Sequence, residues 1–208
     1  MTQERTAYIR SLFGSEDALL KKITSADDPI HIRAEDARIL EFLIKSCGIK
    51  TVVEVGTLAG YSAIRMARAL PTDGHVYTLE QDISRAQKAT GYIKESGLSQ
   101  KITVITGSAQ ESMKTLSGPY DMIFIDADKI SYIAYLNWAE KNIRKGGLIV
   151  GDNTFLFGAV YQDALPEGVS KTALDAMLEF NQRLSDPARY TSMMIPSDEG
   201  LTVGMKLF

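Results

Sequence analysis

Between residues 51 and 152 the chain repeats one pattern four times and closes on a fifth run. A short run rich in β-branched and apolar residues is followed by a longer stretch with helical spacing. The runs are "TVVEV" (51–55), "HVYTLE" (75–80), "KITVIT" (101–106), "YDMIFID" (120–126) and "GLIVGD" (147–152). The helical stretches between them fall near 60–70, 82–96, 109–116 and 131–143. Strands that alternate with helices form βαβ units, and those force a parallel sheet covered on both faces. The C-terminal part breaks the pattern. A helix over 170–184 precedes "YTSMMIP" and "LTVGMKL", joined by "SDEG", which reads as a hairpin with one strand antiparallel to the rest. Three helices, near 3–12, 16–26 and 34–47, precede the first strand, with Pro29 ending the second and Gly48 capping the third. The expected fold is α/β: a doubly wound, Rossmann-like sheet of seven mostly parallel strands with a C-terminal antiparallel hairpin, forming a single domain over 1–208.

Composition narrows the class. With 45% apolar and 24% charged residues the chain matches a globular protein with a sizeable core. A net charge of −3 argues against a strongly basic, sequence-independent nucleic-acid binder. Cys47 is the only cysteine, so no intrachain disulfide can form, which fits a reducing compartment. No apolar stretch reaches the roughly 18 residues of a membrane span, and the N-terminus lacks the pattern of a signal peptide. A cytoplasmic protein is expected.

In doubly wound sheets ligands sit beyond the carboxyl ends of the parallel strands, where strand order reverses. Those ends are "EVG", "TLE", "ITG", "FIDADK" and "VGDN". Glu54, Gly56 and Gly60 give E-x-G-x-x-x-G at a strand-to-helix turn. Glycine lets that backbone turn sharply and approach a ligand, although a tight packing turn explains the motif equally well. It lacks the spacing of the G-x-G-x-x-G dinucleotide fingerprint. Glu80 ends the second strand, where one carboxylate can accept both hydroxyls of a ribose. The plainer alternative is an exposed strand-end acid. Ser108 and Gln110, with the Ala109 amide opening a helix, can bond an adenine edge or simply cap that helix.

The fourth and fifth strand ends belong together if those strands are neighbours, as consecutive parallel strands often are. Asp126, Asp152 and Asn153 then offer three oxygens without His or Cys, a donor set for a hard cation such as Mg²⁺, or Mn²⁺ or Ca²⁺. The alternative is two separately solvated strand ends. Lys129 stands three residues past Asp126. A dication and partial burial favour its neutral form, which can act as a general base; a surface lysine pairing with Asp128 is the simpler account.

Taken together, "VVEVGTLAGYSAIRMARAL", "YTLEQD", "FIDADKISYIAYL" and "RKGGLIVGDNTFLFGAV" resemble the cation-dependent class I O-methyltransferases, the group of catechol and caffeoyl-CoA O-methyltransferases. The resemblance runs from about Ala34 to the C-terminus. It implies S-adenosylmethionine as cofactor, with Glu54 and the glycine turn beside its methionine part, Ser62 near its carboxylate and Asp128 near its amine. Glu80 falls on the ribose contact, and Ser108 and Gln110 fall near the adenine. The family's metal ligands fall on Asp126, Asp152 and Asn153, and its lysine on Lys129. The implied substrate is a small phenol with vicinal hydroxyls.

Where the family usually carries a tryptophan-containing loop, "NTFLFGAV" offers Phe155 and Phe157. "PIHIR" (29–33) places His31 and Arg33 before the third helix, for binding an acidic substrate or facing solvent. The N-terminal helices are expected to cover the site or join a homodimer, as in relatives. Other readings are methylation of a hydroxylated tRNA wobble uridine, helped by a basic face near Lys21, Lys22, Arg33 and Arg38, and a non-catalytic nucleoside-binding scaffold. An NAD-dependent dehydrogenase is weakened by the missing third glycine.

Overall fold

The computed structural model describes residues 3–26 and 31–208, so Pro29 and the first half of "PIHIR" lie outside the described residues. Seven strands form one sheet in the order β3-β2-β1-β4-β5-β7-β6. By its contacts the chain divides into two compact units, residues 1–112 and 113–208.

The first unit opens with α1 Gln3–Phe13, α2 Ala18–Ala26 and α3 Ala34–Ser46. Strand β1 Thr51–Val55, helix α4 Tyr61–Ala69, strand β2 His75–Glu80, helix α5 Ile83–Glu95 and strand β3 Ile102–Thr106 then follow. The β-branched runs form strands because both sheet faces are covered: Val52, Val53, Val55, Val76 and Leu79 are all buried. β1 pairs in parallel with β2, and β2 with β3. Helix α4 is buried from Tyr61 to Ala67, charged Arg65 included. The Arg65 guanidinium is compensated by a short ion pair to Glu41 and a 2.9 Å hydrogen bond to the Tyr61 hydroxyl.

The second unit holds β4 Tyr120–Ile125, α7 Tyr132–Asn142, β5 Ile143–Asp152, α8 Lys171–Leu184, β6 Tyr190–Ile195 and β7 Leu201–Lys206; α6 Ala109–Lys114 precedes them in the chain. β4 and β5 are parallel neighbours, while β7 runs antiparallel to both β5 and β6. The C-terminal hairpin is therefore present with its one reversed strand.

Three boundaries differ from expectation. β4 stops at Ile125, leaving Asp126 as the first residue beyond the strand. A 3₁₀ turn at Lys129–Ser131 precedes α7, since the Asp128 carboxylate accepts from the Ser131 amide and tightens the chain there. β5 begins at Ile143 rather than at Gly147, but its pairing with β4 jumps from Tyr120↔Ile143 to Met122↔Leu148. The interruption falls at Gly146, whose φ of 73° lies in the left-handed region.

Candidate active site

In the first unit the turn after β1 is wound tightly. Gly56, Leu58 and Gly60 have φ of 100°, 50° and 83°. The Gly56 amide donates to Leu79 O at 3.0 Å, fastening the turn to the end of β2. Glu54 is fully buried on β1, and its neighbour across the β2 register is Thr78. The Thr78 hydroxyl donates to Glu54 Oε2 at 2.6 Å, so the Thr57 hydroxyl, 2.5 Å away, donates to Thr78. Two threonine hydroxyls thus orient a buried carboxylate, which would otherwise be costly. Sequence reasoning missed both: a threonine in a strand reads as β propensity, and only the register shows what it faces.

Glu80 is also buried, not an exposed strand-end acid. Its Oε2 accepts from the Leu58 amide at 2.8 Å, and its Oε1 from the Asp82 amide at 3.0 Å. These bonds bind the glycine turn to the end of β2 and aim the carboxylate, while a carboxylate's four lone-pair sites leave acceptor capacity for a diol. Ser62 is buried in the first turn of α4. Ala109 opens α6 half-buried between exposed Ser108 and Gln110, and the Ser112 amide closes that turn on Ser108 O at 2.9 Å. His31 packs its ring 6.0 Å from that of Tyr61, and Arg33 is exposed just before α3.

In the second unit the register decides the geometry. Ile125 pairs with Gly151, so the next residues, Asp126 and Asp152, leave neighbouring parallel strands side by side. Asp152 is buried, and the Asp126 side chain is about a quarter exposed. Asn153 follows in the left-handed region with φ 52°, a conformation Asn tolerates better than most residues, and its amide donates to Asp152 Oδ1 at 2.8 Å.

Lys129 faces the same place. Its Nζ lies 2.8 Å from Tyr132 Oη, 3.2 Å from Asp152 O and 3.7 Å from Asp126 Oδ1. Burial pulls its pKa down, while the charges of Asp126 and Asp152 push it back up only in part. Burial likewise raises the Asp126 pKa, and Lys129 opposes that. The three contacts of Nζ, to Tyr132 Oη, the Asp152 carbonyl and Asp126 Oδ1, are as many as an ammonium has N–H donors, while a neutral amine would keep two of them and one lone pair. The Tyr132 hydroxyl is buried between the Ile125 and Asp152 carbonyls, at 2.9 and 2.7 Å. Its role was not legible from the chain, because a tyrosine at helical spacing reads as core.

Asp128 is held by Ser131 and by the Tyr135 hydroxyl, which donates to its Oδ2 at 2.8 Å. Phe155 is half-buried, lies edge-on to Tyr161 with ring centres 5.7 Å apart and covers Gly200, whereas Phe157 is largely exposed.

Among the described residues no group of three or more His, Cys, Asp and Glu side chains is gathered to hold a metal. The candidate set contains two carboxylates and one amide. That set still fits a hard divalent cation. Its donors are oxygens, and burial destabilises the Asp126 anion, which a cation would reverse.

The family model described as O-methyltransferase matches residues 15–207. This chain belongs to the O-methyltransferase family. A catechol O-methyltransferase of Niastella koreensis is 39% identical over 186 residues, covering 85% of this chain and 82% of its own. A catechol O-methyltransferase of Mycobacterium tuberculosis is 33% identical over 159 residues, covering 74% of this chain and 72% of its own. Among solved structures, the O-methyltransferase TomG of Streptomyces achromogenes in complex with SAM is similar throughout, with 30% identity, TM-score 0.89 and full coverage of both chains. The O-methyltransferase family thus accounts for nearly the whole length, and the seven-stranded α/β sheet is that of its class I relatives.

Proposed function

We propose that this O-methyltransferase takes its methyl group from S-adenosylmethionine, depends on a divalent cation, and acts on a small phenol with vicinal hydroxyls. The observation that carries the reading is the Ile125↔Gly151 register, which sets Asp126 and Asp152 side by side with Asn153 next in the chain. The catechol-methylating relatives and the SAM-bound neighbour support the acceptor and the donor respectively.

The transfer is one displacement. An acceptor oxygen forms its bond to the methyl carbon as the sulfur–methyl bond breaks, and the electron pair stays on sulfur. Glu80 accepts the ribose hydroxyls with the lone pairs that Leu58 and Asp82 leave, and Glu54, Gly56, Gly60 and Ser62 line the methionine end. Ser108, Ala109 and Gln110 serve the adenine, and Asp128 the amine. Asp126, Asp152 and Asn153 hold the cation. When bound, that cation supplies Lewis acidity, favouring the phenolate over a phenol of pKa near 10. Lys129 takes the acceptor's proton on Nζ. Alignment of this kind contributes about 7–11 kcal/mol in favourable cases.

The tRNA alternative has less support, since two cations of its basic face are already engaged. Lys22 pairs with Glu95 at 2.7 Å and Arg38 with Glu41 at 2.8 Å. Incubation with methyl-labelled S-adenosylmethionine and Mg²⁺, against catechols, caffeoyl esters, monophenols and undermodified tRNA, tests the reading. Label is expected in the ortho-diphenols only. Transfer confined to tRNA, or equal transfer to monophenols, would overturn the acceptor assignment.

A further inference from the structure

Immediately after Asn153 the chain enters a closed ring of side-chain hydrogen bonds. Thr154 is fully buried, and Thr202 on β7 nearly so. Thr202 Oγ1 lies 3.0 Å from Thr154 Oγ1 and 2.9 Å from Asn181 Oδ1. Asn181 Nδ2, on α8, donates to the Thr154 carbonyl at 2.9 Å. Only one assignment of protons satisfies all three contacts. Thr202 has one hydroxyl proton, and Asn181 Oδ1 has none, so Thr202 donates to Asn181. Thr154 Oγ1 must then donate to Thr202, and Asn181 returns the sequence to the Thr154 backbone. Each member gives one proton and receives one, which fixes the Asn181 amide orientation and both hydroxyl rotamers.

The ring grips the chain where it most needs support. Asn153 holds a left-handed backbone, which Asn adopts more readily than most residues but still less readily than the right-handed or extended regions, so the contacts on either side help to hold it there. On one side the Asp152 carbonyl accepts from Tyr132. On the other the Thr154 carbonyl accepts from Asn181, and the Thr154 amide donates to Gly200 O at 3.0 Å. Gly151, across the sheet from Thr202, leaves the necessary space: a Cβ there would come within 2.7 Å of the Phe180 ring and 3.2 Å of the Thr154 methyl.

We infer that Asn181, Thr202 and Thr154 are positioning residues that hold Asn153, and with it Asp152, in the geometry that receives the cation. This rests on the metal reading above. Groups that orient metal ligands from behind change metal affinity about 10- to 100-fold when removed, and the ring reaches the ligands through one peptide unit.

The test is Mn²⁺ titration of the folded protein, read by electron paramagnetic resonance, with no substrate present. Asn181→Asp keeps the size and the acceptor for Thr202 but sets an acceptor against the Thr154 carbonyl. Thr202→Val removes only the hydroxyl, and Thr202→Ser restores it. Asn181→Asp and Thr202→Val are expected to weaken Mn²⁺ binding about 10- to 100-fold, with Thr202→Ser at the wild-type value. Should Asn181→Asp fail to fold, the nearly isosteric Thr202→Val and its serine control decide the question. Wild-type affinity in folded Thr202→Val, when Asp152→Ala abolishes binding, would overturn the ring's role and leave the metal reading standing. Wild-type affinity in Asp152→Ala, or no saturable binding by the wild type, would overturn the metal reading and the ring's role with it.

Discussion

Glu80 has a structural role in the glycine turn and, in the proposed function, a second one toward the ribose. Its two oxygens are aimed by the Leu58 and Asp82 amides, so the carboxylate is preorganised before any ribose arrives. Glu80→Gln puts an amide NH₂ against one of those N–H donors and removes the charge. Hydrogen bonds to a charged group contribute about 1.5–3 kcal/mol, so the KM for S-adenosylmethionine should rise roughly 10- to 100-fold. An unchanged donor KM in a steady-state titration would show that Glu80 serves the turn alone. Gly151 is constrained differently. Gly151→Ala drives a Cβ into the Phe180 ring one residue before Asp152, and overpacking of this kind costs about 1–3 kcal/mol. Urea unfolding should register that loss. The acids at the strand ends could be picked out in the chain because they close apolar runs at the edge where doubly wound sheets bind ligands, although a solvated strand end was the plainer account until burial of Glu80 and Asp152 was seen. Thr57, Thr78, Thr154, Thr202 and Asn181 could not be picked out, because each acquires its role only from a partner brought near by strand register or helix packing.

At the scale of elements, α7, α8 and β6 meet at Glu140. Its carboxylate accepts from the Tyr190 hydroxyl at 2.7 Å and pairs with Arg183 at 2.9 Å and Arg189 at 3.0 Å. Burial raises its pKa, but the Tyr190 bond and the two arginines overcome that, so the net shift is below the ordinary 4.5. A folded-state pKa below the unfolded one means the stabilisation is complete above the unfolded value. It is lost as pH falls through the folded one. Glu140→Gln should therefore lower stability at neutral pH and flatten the decline below pH 4.5, which thermal melts from pH 7 to pH 3 would read. A parallel decline in both proteins would contradict it. The elements themselves were largely readable. β1 and β2 match the expected runs because their hydrophobic patterns end in glycine or acid. The start of β5 was missed since Arg144–Gly147 carries no strand pattern, yet Ile143 pairs with Tyr120 across the interruption.

For the whole molecule, the parallel direction of the first five strands followed from their alternation with helices and the reversed strand from the C-terminal hairpin, whereas the strand order is seen only in the sheet, where it puts β4 beside β5 as the site reading required. Among the described residues no helix is long and apolar enough to cross a membrane. What the alternation cannot specify is the acceptor. The claim on which the account depends is that Asp126 and Asp152 hold one cation without which methyl transfer does not occur. The most direct measurement is turnover of an ortho-diphenol by the wild-type protein in excess EDTA, followed by Mg²⁺ beyond the chelator. The account predicts that turnover disappears with EDTA and returns with Mg²⁺, and that Asp152→Ala stays inactive in both conditions while remaining folded. Full activity of the wild type in EDTA would contradict it.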